Sequence, residues 1–289
     1  MLDLSHIPNS QQDVQIFNAN GSAWQTWRKP KKCNYVWIMC VGGAGGGAGG
    51  AIASSANYST GGASAGISRA LYNSQQLSDI LYIQVGLGGL GGTSNSNGSP
   101  STRSWVSLQP FTTVVAQNIV LGSGNAVVAG GIVSSTTTSN GESAASQAIA
   151  TFLTLSNFIA TAGVNSVFGT NQPADITPLT SQLTCPGGHG PGFVAAYNGS
   201  SILATSISPL IQGGIGVTVG NGGNGANGIT SWKPFYSLGG AGGGSSTVGV
   251  GGAGGNGGIG SGGGAGGAGL LGGGTGGKGG DGLVIIISF

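Results

Sequence analysis

The sequence predicts an all-β chain: a β-sandwich-like framework carrying long glycine-rich loops, with the C-terminal region partly wound as polyglycine II helices. Three observations predict it. Apolar runs of strand composition feed directly into glycine tracts. The last tract repeats with a period close to three. Charge is nearly absent, with 8 Lys and Arg and 6 Asp and Glu against 64 glycines in 289 residues. At 5% charged residues, where a typical soluble domain has roughly 25%, the polarity comes from Ser, Thr, Asn and backbone.

Four stretches differ in composition: an N-terminal segment at 1–30, a β framework with the first glycine loops at 31–98, a β-rich insertion or body at 99–238, and a glycine-rich polyglycine II region at 239–289 that ends in a buried strand. The first stretch is polar and closes on Trp24, Trp27 and the basic residues Arg28, Lys29, Lys31 and Lys32. The second opens with Tyr35-Val-Trp-Ile-Met-Cys-Val41, apolar at both alternating sets of positions, as in a strand covered on both faces. It runs into the tract at 42–50, and a second strand run at 80–85 enters the tract at 86–92 in the same way. Between them, 68–77 reads equally as a helical turn or a short strand.

From 99 to 238 glycine thins and Thr, Ser, Val and Ile rise, with strand-like runs at 111–121 and 202–207. At most one short helix is expected, at about 143–160, because Ile149, Phe152, Leu153 and Ile159 share a face. In the final stretch, 27 of the 44 residues at 239–282 are glycine, and in the series 252, 255, 258 through 282 only Ser261 and Leu270 are not. Three residues per turn is the repeat of the polyproline II helix, which has no internal hydrogen bonds. Ordering that many glycines costs on the order of 13 to 27 kcal/mol more than ordering alanines, so their backbone groups must find partners in neighbouring strands. No proline follows Pro234, which excludes collagen. The terminal run 283–287 is strongly β-prone and is expected to lie with 35–41 and 80–85 in one sheet or sandwich, the glycine tracts projecting from the same end.

Several function classes fall away. A net charge of +2 makes no basic face for nucleic acid. The longest apolar runs fall far short of the ~20 residues of a membrane-spanning helix. The first twenty residues hold Asp3, His6, Pro8 and Asp13 and no apolar stretch of signal-peptide type. Gly86-Leu-Gly-Gly-Leu-Gly91 matches a dinucleotide fingerprint, but loop residues follow where a helix is required. Cys185-Pro-Gly-Gly-His189 reads as a turn with an incidental Cys and His, and the acidic residues are scattered singly. No catalytic residue, metal site or cofactor is expected. Three cysteines, Cys33, Cys40 and Cys185, make no paired framework.

The order Trp24-x-x-Trp27, then Lys-Pro-Lys-Lys-Cys33, then an apolar strand entering 42–50, then Leu81-Tyr-Ile-Gln-Val-Gly-Leu-Gly-Gly-Leu-Gly-Gly92, then Gly276-Gly-Lys-Gly-Gly-Asp-Gly-Leu-Val-Ile-Ile-Ile287 resembles the glycine-rich domain of bacteriophage tail fibre, spike and adhesin proteins. The likeness covers roughly 17–98 and 239–289; residues 99–238 do not match it. It implies a homotrimeric protein on the virion surface, joined to other virion proteins through the N-terminal segment, that binds a host surface glycan or outer-membrane protein without turnover. Host contact in that family falls on the tips of the glycine loops. The corresponding candidates here are the non-glycine residues within the tracts, Asn221, Asn224, Asn256, Ile259, Leu270, Leu271 and Lys278. The competing expectation is a structural subunit of a capsid or extracellular filament whose glycine tracts pair between chains.

Overall fold

The computed structural model describes residues 13–52, 58–126, 130, 132–133, 156–161, 173–178 and 183–289. Thirteen strands occur among them: β1 (Asp13–Asn18), β2 (Gln25–Arg28), β3 (Tyr35–Val41), β4 (Tyr58–Ser59), β5 (Ile67–Asn73), β6 (Ile80–Gln84), β7 (Trp105–Ser107), β8 (Ile119–Gly122), β9 (Ile132–Val133), β10 (Ser156–Thr161), β11 (Thr230–Trp232), β12 (Phe235–Ser237) and β13 (Leu283–Ser288). Two antiparallel sheets form the framework, with strand orders β1-β13-β3-β5-β10 and β2-β6-β7-β8. Two-stranded pairs β4-β9 and β11-β12 complete the sheets.

The sheets pack face to face. Val36, Ile38 and Cys40 of β3, Val284 and Ile286 of β13, and Ala70 and Tyr72 of β5 meet Trp27 of β2, Leu81 and Ile83 of β6, Val106 of β7 and Leu121 of β8. The Tyr72 hydroxyl crosses this core and donates to the Val120 carbonyl at 2.8 Å. Burial, with the Cys40 thiol nearby, pushes that hydroxyl well above its usual range, so it stays a donor. The alternate residues Met39, Val41, Leu283, Ile285 and Ile287 are buried on the other face beneath Leu183, Phe235 and Ile259. The central strands are thus covered on both sides, which is why β3 and β13 lack a polar alternation. As expected, 35–41, 80–85 and 283–287 share one sandwich; β3 and β13 are hydrogen-bonded neighbours and β6 lies in the facing sheet.

Three local expectations are adjusted. Ser156–Thr161 is not helical; it pairs antiparallel with β5, since its Phe, Ile and Thr suit an edge strand and β5 offers an open ladder. The rest of the suggested helix, 143–155, lies outside the described residues. The 68–77 stretch is both things at once, strand β5 followed by a 3-10 turn at Ser74–Gln76 that Asn73 caps from its side chain. Of 111–121, only the end from Ile119 is strand, and 202–207 contributes only isolated bridges at Ile202.

Candidate functional site: a polyglycine II bundle and its distal turns

Strand β3 does not turn back at Val41 but continues as an extended thread, 42–52, and its hydrogen bonds reveal the thread's winding. Gly42, Gly45 and Ala48 donate to Gly66, Ala63 and Thr60; Gly43, Gly46 and Gly49 donate to Thr102, Ser99 and Ser96; Ala44, Gly47 and Gly50 donate to Gly280, Gly277 and Gly274. Every third amide faces the same neighbour, as three residues per turn requires. Carbonyls follow the same rule: Ala44 and Gly47 accept from Gly89 and Gly92, Gly45 and Ala48 from Gly263 and Gly266, and Gly43 and Gly46 from Ala126 and Gly130. The thread therefore donates to three neighbours and accepts from three others, with all of its bonding made sideways.

Threads 260–269 and 238–246 have the same sixfold surroundings. The first donates to 184–191, 42–52 and 249–259 and accepts from 58–66, 272–282 and 238–246. The second donates to 221–229, 260–269 and 197–202 and accepts from 249–259, 184–191 and 211–217. These contacts define a three-row bundle. A central row of 96–104, 42–52, 260–269, 238–246 and 211–217 lies between 86–93, 272–282, 249–259 and 221–229 on one side and 123–126, 58–66, 184–191 and 197–202 on the other. The period-three glycines read from the sequence are the faces at which backbones meet. A side chain at Gly264, for example, would enter the Ala241 carbonyl of the next thread. Both exceptions in that series fall at turns: Ser261 follows Gly260, whose φ of +63° reverses the chain at the sandwich end, and Leu270 occupies the reversal between 260–269 and 272–282.

At the flank of the bundle, side chains take over where neighbouring backbone runs out. On 221–230 the Oδ1 atoms of Asn221, Asn224 and Asn227 and Oγ1 of Thr230 accept from the amides of Val250, Ala253, Asn256 and Ile259 at 3.0, 2.9, 2.8 and 2.9 Å. Asn256 Oδ1 in turn accepts from the Lys278 amide at 2.8 Å. Lys278 Nζ pairs with Asp281, whose Oδ1 also accepts from the Gly88 amide. Asn221, Asn224, Asn256 and Lys278 are thus placed along the flank, where they seal exposed thread edges. Ile259 lies at the sandwich end, packed under Met39 and Val41.

Leu270 and Leu271 alone among the candidates form a bundle reversal, at the end away from the sandwich. Each long thread spans about 30 Å, at roughly 3.1 Å per residue, so this end stands well clear of the sheets. Leu271 is 74% exposed and Leu270 43%. The pairings bring other reversals to the same end: Ile52 bridges Gly269, Ser246 bridges both Gly269 and Val217, and the Ala268 amide reaches the Pro191 carbonyl. Those reversals expose Ile52, Val194, Val219 and Val248, Val219 at 85%. Sequence reasoning missed these four because they sit in non-glycine stretches of mixed composition, such as 51–60 and 193–198, that lack the glycine period; the signal is an aliphatic residue where a glycine series breaks.

The three thiols are free, Cys40 and Cys185 buried and Cys33 half-buried. Burial pushes Cys185 up to about 12, and the Gly239 amide only partly offsets this; Cys40 is raised further by burial alone. Both are held as inert thiols. Among the described residues no group of three His, Cys, Asp or Glu side chains could hold a metal, and no helix is long and apolar enough to cross a membrane.

Fold and site together define a glycine-rich β protein, a β-sandwich from which a polyglycine II bundle projects a set of aliphatic turns. The chain belongs to the glycine-rich domain family, whose sequence profile matches residues 18–288 and so takes in the stretch at 99–238 as well. Comparison with curated proteins gives no match.

Proposed function

We propose that this chain is a non-enzymatic surface protein of a bacteriophage particle, a tail-fibre or capsid-spike component that recognises a host-cell receptor through the distal turns of its bundle. One observation carries the reading: Ile52, Val194, Val219, Val248 and the pair Leu270 and Leu271, from five reversals, are exposed together at one end of a rigid body. Single exposed aliphatic residues are ordinary, but a group of them at one extremity is a feature of contact surfaces. The turns rest on threads whose backbone groups are satisfied, so little ordering is required on binding. In this reading the sandwich and the segment preceding β1 face the particle and its other proteins, in a homotrimer, and the tip meets an outer-membrane protein or glycan.

The competing role, tracts that pair between chains in a filament, is disfavoured by the capped flank, where Asn221, Asn224, Asn227 and Thr230 already occupy edge amides. The test is adsorption of particles carrying Leu270→Ser and Leu271→Ser. Adsorption should fall at least tenfold while the melting temperature of the isolated protein stays within a few degrees. Unchanged adsorption by a folded double variant would refute the assignment.

A further inference from the structure

The second sheet has an outer face that the bundle does not use. In β2, β6 and β7 the residues Trp27, Leu81, Ile83 and Val106 point into the core. Register therefore turns Thr26, Tyr82, Gln84, Trp105 and Ser107 to the opposite face, where Thr26, Tyr82 and Gln84 reach solvent while Trp105 and Ser107 are buried, with Thr26 opposite Tyr82, Tyr82 opposite Ser107 and Gln84 opposite Trp105. Across this face runs a ladder of rings. Trp24 meets Phe111 at 4.9 Å between centroids and 69°, Phe111 meets Trp105 at 5.8 Å and 75°, and the Arg103 guanidinium lies 5.8 Å from the Trp105 ring. The Trp105 ring is seated across Gly122 of β8, where a side chain would collide with it.

Arg103 is fixed twice, by the ring beneath it and by its Nε, which donates to Asn125 Oδ1 at 3.1 Å. Its terminal nitrogens have no partner among the described residues and stay available as a preoriented fork for an oxyanion. Among the described residues Asp79 is paired with Lys29 at 2.9 Å and Asp281 with Lys278 at 2.8 Å, and neither Arg28 nor Arg103 has an acidic partner. The face thus combines the half-buried rings of Trp24 and Phe111, seated on the buried Trp105, with hydroxyl and amide groups and unneutralised guanidinium charge.

We propose that this face is a binding site for an acidic saccharide, a pyranose chain bearing carboxylates. A pyranose ring offers a C–H face that packs on the electron-rich face of an aromatic ring, hydroxyls for Thr26, Tyr82 and Gln84, and a carboxylate for the Arg103 fork. Steps of 4.9 to 5.8 Å along the ladder are of the order of one sugar ring. The site lies on the sandwich and is independent of the distal tip.

Titration calorimetry on the full chain tests the proposal, with trigalacturonate as probe, galactotriose as its neutral counterpart and hexaglutamate as a peptide of the same charge type. Trigalacturonate should bind at least tenfold more tightly than either of the others. Arg103→Gln should weaken it at least tenfold, and Trp24→Leu, which keeps apolar packing on Phe111 but removes a ring face, at least threefold. The Leu270→Ser, Leu271→Ser variant should bind as the unmodified chain does, so loss of one site is separable from loss of the other. No measurable trigalacturonate binding, unchanged affinity in folded Arg103→Gln, or equal affinity for hexaglutamate would overturn the proposal.

Discussion

Replacing Gly264 by alanine puts the bundle geometry to its most direct test. A methyl group there would enter the Ala241 carbonyl and lie 2.9 Å from the Gly240 oxygen, both backbone atoms of a thread hydrogen-bonded on its other sides. Thread 260–269 has to move away, and Gly264 holds it by two bonds, its amide to the Gly255 carbonyl and its carbonyl from the Gly277 amide, each 2.8 Å. Losing both in the interior costs about 2 to 6 kcal/mol, at roughly 1 to 3 kcal/mol for each buried group left unpaired. The control is the same substitution at Gly272, where the nearest atom is a Val250 methyl at 4.0 Å. Gly272→Ala should be neutral or stabilise by about 0.4 to 1 kcal/mol through the unfolded chain. Equilibrium denaturation in guanidinium, followed by circular dichroism, measures both. If Gly264→Ala unfolds within 0.5 kcal/mol of the unmodified chain, or Gly272→Ala costs as much as Gly264→Ala, the sixfold packing is wrong.

Three further outcomes are expected. Replacing Asn221, Asn224 and Asn227 by alanine should cost about 0.5 to 1.5 kcal/mol each and speed deuterium exchange at the amides of Val250, Ala253 and Asn256; uniform exchange across 249–259 would contradict the ladder. With iodoacetamide at pH 8, native protein should be modified at Cys33 and not at Cys40 or Cys185; labelling of all three at equal rates would place the buried thiols wrongly. The Cys185 thiol is raised in the folded state to about 12, so its contribution is intact below the unfolded thiol pKa of roughly 8.5 and is lost as pH climbs from there. Stability should fall over that alkaline window by about 1.4 kcal/mol per pH unit for this group, and Cys185→Ala should flatten the slope.

What was legible in the sequence was periodic. The unbroken apolar runs of β3 and β13 announced strands buried on both faces, and the glycine series at 252–282 announced threads with one bare side per turn. The partners of each thread were not legible, because a glycine face accepts any other glycine face and only the whole bundle selects among them. Residues 99–238 concealed their part for a different reason. Threads 184–191, 197–202 and 211–217 hold Thr184, His189, Tyr197, Ser200 and Gln212 among their glycines, so the glycine series is diluted although the bonding is the same. Asn221 and Asn224 drew attention as polar residues inside a tract, but spacing alone does not separate a side chain aimed at a partner molecule from one that caps the chain's own amides. Leu270 and Leu271 stood out because a glycine series breaks only where the chain must turn.

The first glycine thread finds two of its six neighbours at the other end of the chain, Ala44 and Gly47 donating to Gly280 and Gly277 and Gly45 and Ala48 accepting from Gly263 and Gly266. At roughly 5 to 20 residues per second of synthesis, a nascent chain waits on the order of tens of seconds before thread 42–52 can close. Such distant pairings also slow folding after release. While it waits, that thread is nearly bare of side chains and offers little apolar surface to aggregate. A ribosome that stops before residue 239 leaves the central row without two of its members, so a prematurely ended polypeptide would have no rigid stalk on which to present its turns.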